Sequence, residues 1–305
     1  MVDITHKTVS LRKAIAEAKI QVSSIETIQI IEQGKVPKGN IFEFGRAAGL
    51  LAIKKTSELI PDCHPIPIEM ARIDYHLEGL TIEIRVEVQT IYKTGVEVEA
   101  MHGASLVALT LYDMLKPIDK GLEIQSIKLL EKKGGKTDFR NQKSEGLKCS
   151  VVVCSDTLSK GIGEDQAGKA VIAQLGKLGM EPSSFSILPD EILPIQEKAL
   201  ELVEAGNQLI LFVGGTGLSP RDITPEAISP LLDRTIPGIM EAARAYGQDR
   251  TPYSMLSRGI SGFIKNTLVL TLPGSTKGAT ETMDAIFPYI LHIFKVAEGK
   301  RHEEF

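Results

Sequence analysis

Two successive folds are predicted for this chain: an α+β sandwich with helices over one face of an antiparallel sheet, then an α/β doubly wound, three-layer domain. Three observations predict them. A length of 305 residues exceeds what one average core comfortably supports, so two domains are expected. The hydrophobic pattern of the first half runs strand, helices, two alternating strands joined by a tight turn, helix, strand. In the second half short apolar runs alternate with helical patterns, and Leu209-Ile210-Leu211-Phe212-Val213 passes directly into Gly214-Gly215-Thr216-Gly217, as a buried parallel strand passes into a glycine loop. The polar stretch TDFRNQKSEGLK, without period or apolar density, separates the halves and sets domains at 1–139 and 148–305 with a linker at 140–147.

Hydrophobic residues at 43% and charged residues at 24% describe an ordinary globular chain rather than a disordered one. Residues 1–147 carry 20 basic and 20 acidic side chains and the remainder 15 and 19, so neither half has the field of a nucleic-acid binder. No apolar run approaches the ~20 residues of a membrane span, and MVDITHKTVSLRK lacks a signal-peptide core, so a cytoplasmic protein is expected. The cysteines, Cys63, Cys149 and Cys154, lack CxxC spacing and read as small buried hydrophobes; Cys149 and Cys154 fall on opposite sides of one strand.

In the first half, Ala14, Ala16, Ala18, Ile20 and Val22 alternate in a half-buried strand. A short helix over 24–33 ends at Gly34, and a second over 41–60 has Asn40 as its N-cap and Pro61 as its stop. Lys38 lies in the polar turn between them, and Lys54 late in the second helix, where the dipole favours cations. Pro65 biases His64 to an extended backbone. Alternating runs over 66–77 and 80–92 form a hairpin around Glu78-Gly79. A helix over 96–115 follows, with Val98, Met101, Leu106, Leu109 and Met114 at helical spacing, Glu97 and Glu99 in its first turn, and Asp113 and Lys116 at its end. The last strand, 122–130, precedes Lys132. Acids at a helix start and a lysine at its end are also what the dipole favours without any active site.

In the second half, strands are read at 151–153, 186–188, 209–213 and 268–272, and helices at 165–178, 194–204 and 279–296. After the glycine loop, Arg221 suits anionic oxygens and Asp222 a magnesium ion, and Thr224 and Pro225 resemble a helix N-cap and first helical residue. Asp190 falls at the end of a neighbouring strand, on the same sheet edge as Asp222; locally it reads equally as a turn or capping residue. Two carboxylates from different strands could there meet one Mg²⁺–nucleotide. Pro273-Gly274-Ser275 is a second small-residue loop opening a helix.

The segments Lys38-Gly39, Cys63-His64-Pro65, KTGVEVEA at 93–100, Leu111-Tyr112-Asp113-Met114 and Gly134-Gly135-Lys136 resemble, in order and spacing, the MoaC family, cyclic pyranopterin monophosphate synthase. The resemblance covers about residues 1–139 and implies a ferredoxin-like fold and a hexamer with sites between subunits. The implied reaction is a lyase's, the rearrangement of a cyclised dihydroguanosine triphosphate to a cyclic-phosphate pterin with release of pyrophosphate. By position, Lys38, Asp113 and Lys116 match the family's catalytic residues, and His64, Glu97, Glu99, Lys54 and Lys132 its substrate pocket. A lysine with a lowered pKa beside a carboxylate suits the proton transfers required, other lysines offset triphosphate charge, and paired carboxylates hydrogen-bond a guanine-like edge.

Over about 147–297 the chain resembles the MoaB/MogA family, molybdopterin adenylyltransferase. Ser155-Asp156, Leu188-Pro189-Asp190-Glu191, GGTGLSPRDITPEA at 214–227, Leu256-Ser257-Arg258 and Leu272-Pro273-Gly274-Ser275 carry the likeness. It implies a nucleotidyltransferase that binds ATP and a dithiolene pterin in neighbouring pockets. Asp190 and Asp222 would hold Mg²⁺ and the backbone of Gly214, Gly215, Thr216 and Gly217 would cradle nucleotide phosphates. Ser257, Arg258 and the Pro273, Gly274, Ser275 loop would take the pterin. The same fold also serves non-catalytic pterin-binding or scaffolding roles. The oligomers implied by the two likenesses, hexamer and trimer, are mutually compatible. No nucleic-acid or membrane partner is expected.

Overall fold

Alternation along β1 (Ser10–Gln21) drives Ala14, Ala16, Ala18 and Ile20 to one face, and all four are fully buried in the computed structural model. The structure describes residues 1–135, 138 and 146–297. Lys136 and all but two residues of the expected linker lie outside that set. The chain divides into two compact units, Met1–Asp138 and Phe139–Phe305.

In the first unit β1 is followed by α1 (Ile25–Glu32), α2 (Ile41–Lys54), α3 (Thr56–Leu59), β2 (Met70–Glu78), β3 (Thr81–Tyr92), α4 (Glu97–Leu115) and β4 (Glu123–Lys133). The sheet order is β2-β3-β1-β4, every neighbouring pair antiparallel. Ile82, Ile84, Val86 and Val88 of β3 join the alanines of β1 under Ala100, Ala104, Val107 and Leu111 of α4. Asn40 caps α2, its side chain accepting from the Phe42 and Glu43 N–H groups at 3.0 and 3.3 Å.

Four expectations need correction here. The helix over 41–60 breaks at Lys55, where Thr56 Oγ1 donates back to the carbonyl region of Ala52 and Ile53. The strand expected from residue 66 starts at Met70, because Pro65 and Pro67 bring no N–H to a ladder. The last strand runs on to Lys133 and so contains Lys132. The buried stripe of α4 is Glu99, Ala100, Gly103, Ala104, Val107, Ala108, Leu111, Met114 and Leu115, whereas Val98 and Leu109 face outward. Large side chains misled the reading of that helix: α4 approaches α2 so closely that a Cβ on Gly49 would stand 2.5 Å from Val107, which selects small residues for the contact.

The second unit contains β5 (Cys149–Cys154), α5 (Asp156–Ser159), α6 (Ala167–Lys177), β6 (Pro182–Leu188), α7 (Ile192–Glu204), β7 (Leu209–Val213) and α8 (Thr224–Ile228). It continues with β8 (Arg234–Thr235), α9 (Pro237–Gln248), β9 (Ser261–Ile264), β10 (Thr267–Leu272), α10 (Thr276–Ile286) and α11 (His292–Ala297). Strands run in the order β6-β5-β7-β10-β9-β8. The first four are parallel, while β9 and β8 pair antiparallel, so the sheet is mixed rather than wholly parallel. Helices cover both faces: Val151, Val153, Leu209 and Leu211 pack with α6, α9 and α10, and Val152, Ile210 and Phe212 with α7 and α8. Cys149 belongs to the first of these cores and Cys154 to the second, on opposite sides of β5.

Sequence reading passed over α9 and β9. The helix over 279–296 is also corrected: it starts at Thr276 and stops at Ile286, since Pro288 cannot donate to a continuing ladder. Thr224 is not a cap but the first residue of the five-residue α8, and Ser275, accepting from the Gly278 N–H, caps α10.

Candidate active sites

The turn before α2 carries Lys38 on residues whose backbone only glycine relaxes: Gly39 has φ +96° and donates to the Val36 carbonyl. Lys38 Nζ reaches Asp113 Oδ2 at 2.7 Å and the Asp113 carbonyl at 2.9 Å, and Lys116 Nζ reaches Asp113 Oδ1 at 2.7 Å. One exposed carboxylate therefore joins the three residues. A carboxylate in the last turn of a helix opposes the dipole, so the lysines supply what the helix itself withholds. They hold the Asp113 carboxyl down to about 2, through hydrogen bonds from Lys116 first and Lys38 second. Asp113 in turn raises the Lys116 ammonium, which reverses the expected lowered lysine pKa: without substrate Lys116 is a firmly protonated acid.

At the other end of α4, His64, Glu97 and Glu99 line one cavity of about 460 Å³ together with Thr94 and Gly95. Glu99 is 3% exposed; its Oε1 accepts from Cys63 Sγ at 3.3 Å and its Oε2 is buried with no hydrogen-bond partner. Burial raises its pKa, and the Cys63 thiol beside it is pushed up to about 11, by burial first and by Glu99 second. Lys132 pairs with Glu97 across the β4–α4 contact, and His64 Nε2 lies 2.9 Å from the Val2 carbonyl. Lys54 is not brought here; it is exposed in the last turn of α2. Glu97 and Asp113 are sixteen residues apart on one helix, hence about 24 Å. Within one chain the two clusters are separate.

In the second unit the loop after β7 is shaped by its neighbours. Gly214 has φ +107°, and a Cβ there would stand 2.3 Å from the Cys154 carbonyl oxygen of the adjacent strand. Its N–H is spent on the Leu272 carbonyl at 3.0 Å, so a phosphate cradle would have to be made by Gly215, Thr216 and Gly217 without it. Asp190 and Asp222 line one cavity of about 330 Å³ with Gly214, Gly215 and Gly274. Asp190 Oδ2 accepts from the Asp156 N–H at 3.0 Å, whereas Oδ1 is buried without a partner; burial, then the neighbouring Asp156 and Asp222, raises its pKa. Asp222 Oδ2 accepts from the Ser219 N–H at 2.8 Å.

Arg221 pairs with Asp156, its Nε 2.7 Å from Oδ2. Arg258 also braces the loop: its Nε donates to the Gly217 carbonyl at 2.6 Å, its other nitrogens meet the Asp222 carbonyl and Glu226, and its N–H holds the Thr216 carbonyl at 2.9 Å. Ser257, Pro273 and Ser275 line a second cavity of about 240 Å³, while Gly274 faces the first. Arg244 and Lys277, which sequence reading missed, also line this second cavity and make it suited to anions.

The donor set around Asp190 fits a hard cation: an unpartnered buried carboxylate oxygen, a second carboxylate, and no lysine or arginine in the lining among the described residues. No group of three or more His, Cys, Asp or Glu side chains there converges closely enough to hold a metal alone. Mg²⁺, which commonly keeps waters and substrate phosphates among its ligands, needs no such cage.

Fold and sites together define a two-part protein, one half with a lysine–carboxylate cluster and a separate acidic cavity, the other with two cavities at the edge of a mixed sheet. The MoaC family model matches residues 1–135, and a model described as a probable molybdopterin binding domain matches residues 150–292. The chain is 36% identical to the molybdenum cofactor biosynthesis bifunctional protein of Chlorobaculum tepidum, over 99% of this chain and 96% of that one. It is 47% identical to the cyclic pyranopterin monophosphate synthase of Listeria innocua, over 45% of this chain and 86% of that one. A crystal structure of the molybdopterin biosynthesis enzyme MoaB from Thermus thermophilus is 39% identical, with a TM-score of 0.48, covering 50% of this chain and 98% of that one. The chain belongs to the family of bifunctional molybdenum cofactor biosynthesis proteins, with a MoaC half followed by a MoaB/MogA half. No helix among the described residues is long and apolar enough to cross a membrane.

Proposed function

We propose that the first unit rearranges a cyclised dihydroguanosine triphosphate to cyclic pyranopterin monophosphate and pyrophosphate, and that the second adenylylates molybdopterin with Mg-ATP. The observation that carries the first reading is Asp113 gripping Lys38 and Lys116 at once. The carboxylate aims both ammonium groups, so that a lysine donates a proton to the reacting ring or ribose and receives one back as the phosphate ring closes. The buried Glu99 and Glu97 would take the N–H edge of the guanine-like ring, for which acceptor-only groups are suited.

Because the two clusters stand about 24 Å apart on one helix, the reading places Lys38, Asp113 and Lys116 of one chain opposite the His64–Glu99 cavity of another, within a hexamer. A ferredoxin-like classification of the first unit agrees with its strand order.

In the second unit the terminal phosphate of the pterin attacks the α-phosphorus of ATP, and the bond to the departing pyrophosphate breaks. The 240 Å³ cavity with Arg244 and Lys277 would hold the pterin phosphate, and the 330 Å³ cavity the nucleotide. Bound between Asp190 and Asp222, Mg²⁺ would neutralise charge on the nucleotide phosphates. The chain itself positions the reactants: Arg258 fixes the path of the 216–222 loop, and the Gly215–Gly217 backbone receives phosphate oxygens. The same reading places the work in the cytoplasm. Pyrophosphate release from Mg-ATP plus molybdopterin, with Asp222→Ala as control, tests the second reaction; release that does not depend on Asp222 leaves this half a pterin-binding module.

A further inference from the structure

The loop between α5 and α6 brings a third aspartate to the acidic cavity of the second unit. Asp165 is 7% exposed and lines the same 330 Å³ space as Asp190 and Asp222. Its Oδ1 accepts from the Gly168 N–H at 2.8 Å, which fixes the side chain over the start of α6. Its Oδ2 is buried and has no hydrogen-bond partner. Taking a polar atom from water without giving it a partner is unfavourable, so an oxygen left in this state at a cavity wall is an acceptor waiting for a donor. The neighbouring Glu164 does not compete, since it pairs with Lys169.

We propose that Asp165 binds a ribose hydroxyl of the nucleotide and so selects ribonucleotides over deoxyribonucleotides. The inference rests on the adenylylation reading above. A carboxylate accepts hydrogen bonds and is a poor neighbour for a bare phosphate, so the phosphates belong against the glycine loop, whose Gly215 lines the same cavity. The group next to the phosphates along the nucleotide is the sugar; the adenine amino group lies at the far end. A cation shared by all three aspartates is not the better account, because among the described residues no group of three acids converges closely enough to hold one.

The test uses the full chain and measures calorimetric affinity for Mg-ATP, Mg-2′-deoxy-ATP and Mg-3′-deoxy-ATP, in the wild type and in Asp165→Asn. The asparagine keeps an oxygen for the Gly168 N–H while replacing the free acceptor with an amide donor; Asp165→Ser, which also retains an acceptor for that N–H, is the second variant should the amide disturb the fold. A hydrogen bond to a charged group is worth about 1.5–3 kcal/mol, so the wild type should bind ATP at least tenfold tighter than one of the deoxy analogues. Both variants should bind all three nucleotides alike, with ATP weakened to the level of the analogue. Equal wild-type affinity for ATP and both analogues, or discrimination that survives in the variants, overturns the proposal. A uniform loss of affinity that added Mg²⁺ restores also overturns it and makes Asp165 a cation ligand. Should the wild type bind no Mg-ATP, the adenylylation reading itself fails, a result distinct from nucleotide binding without sugar discrimination.

Discussion

Asp113 and Asp190 show how differently two carboxylates of one chain are prepared. Asp113 is exposed and stabilised as an anion by two ammonium groups. Asparagine at 113 would leave the helix intact but remove the charge that pairs with both lysines, and a loss of at least about 100-fold in pterin formation with an unchanged melting temperature is expected. A purified Asp113→Asn chain that still forms cyclic pterin at the wild-type rate excludes the role. Asp190 is instead half-buried with an unpartnered oxygen and a raised pKa. The folded chain therefore holds its proton more tightly than the unfolded one. The stability this brings is complete below about pH 4 and is lost as pH rises through the raised value, so at neutral pH the ionised group is a cost. Asp190→Asn should raise the melting temperature at pH 7 by about 2–4 °C, with the gain vanishing in acid, while AMP transfer is lost. Thermal scans at pH 7 and pH 4 read this directly. At this scale the sequence named the candidate residues, through motifs at fixed spacing. It did not show their charge state, because that depends on which groups meet across the fold: a lysine with a lowered pKa is expected beside a carboxylate, and Lys116 is instead raised by Asp113.

Two elements depend on close approach. The α2–α4 contact has Gly49 beneath Val107 and Ile73, with 2.5 and 2.6 Å left for a Cβ. Alanine would gain up to about 1 kcal/mol of helix propensity and lose about 1–3 kcal/mol to overpacking, so Gly49→Ala should be net destabilising in urea unfolding. A midpoint moved to higher urea would contradict the packing argument. The loop from Thr216 to Asp222 depends on Arg258, which ties two of its carbonyls and Glu226. Arg258→Met should leave the sheet folded, because the strands on either side are buried on their own, yet raise hydrogen exchange in the loop and lower AMP transfer at least tenfold. Unchanged exchange there would exclude the bracing role. The sequence placed these elements well where period and caps were clear, as at Asn40. It failed on α4, where alternation of size rather than hydrophobicity set the buried face, and on α9 and β9. In α9, Pro237 at the start with Met240, Ala243 and Tyr246 on one side had offered a helical signal.

At the scale of the molecule, each unit has its own apolar core, so each half should fold and act alone when the chain is divided at residue 138. The 24 Å between the ends of α4 leads to a sharper expectation. Lys116→Ala and Glu99→Ala chains, each inactive in pterin formation, should recover activity when co-assembled, since one site in the mixed oligomer then receives both intact clusters. Mixtures no more active than their parents would place the whole reaction within a single chain. From its sequence alone this protein had settled its two-part organisation, the strand and helix order of its first half and the motifs that identify its family, because period, turn residues and spacing are local properties. Tertiary structure alone decided that the lysines share one carboxylate, that Arg258 ties the carbonyls of the 216–222 loop, and that Asp165 and Asp190 keep oxygens without partners. Those outcomes depend on which distant segments pack together and which polar atoms they cut off from water, and no stretch of sequence contains both sides of such a contact.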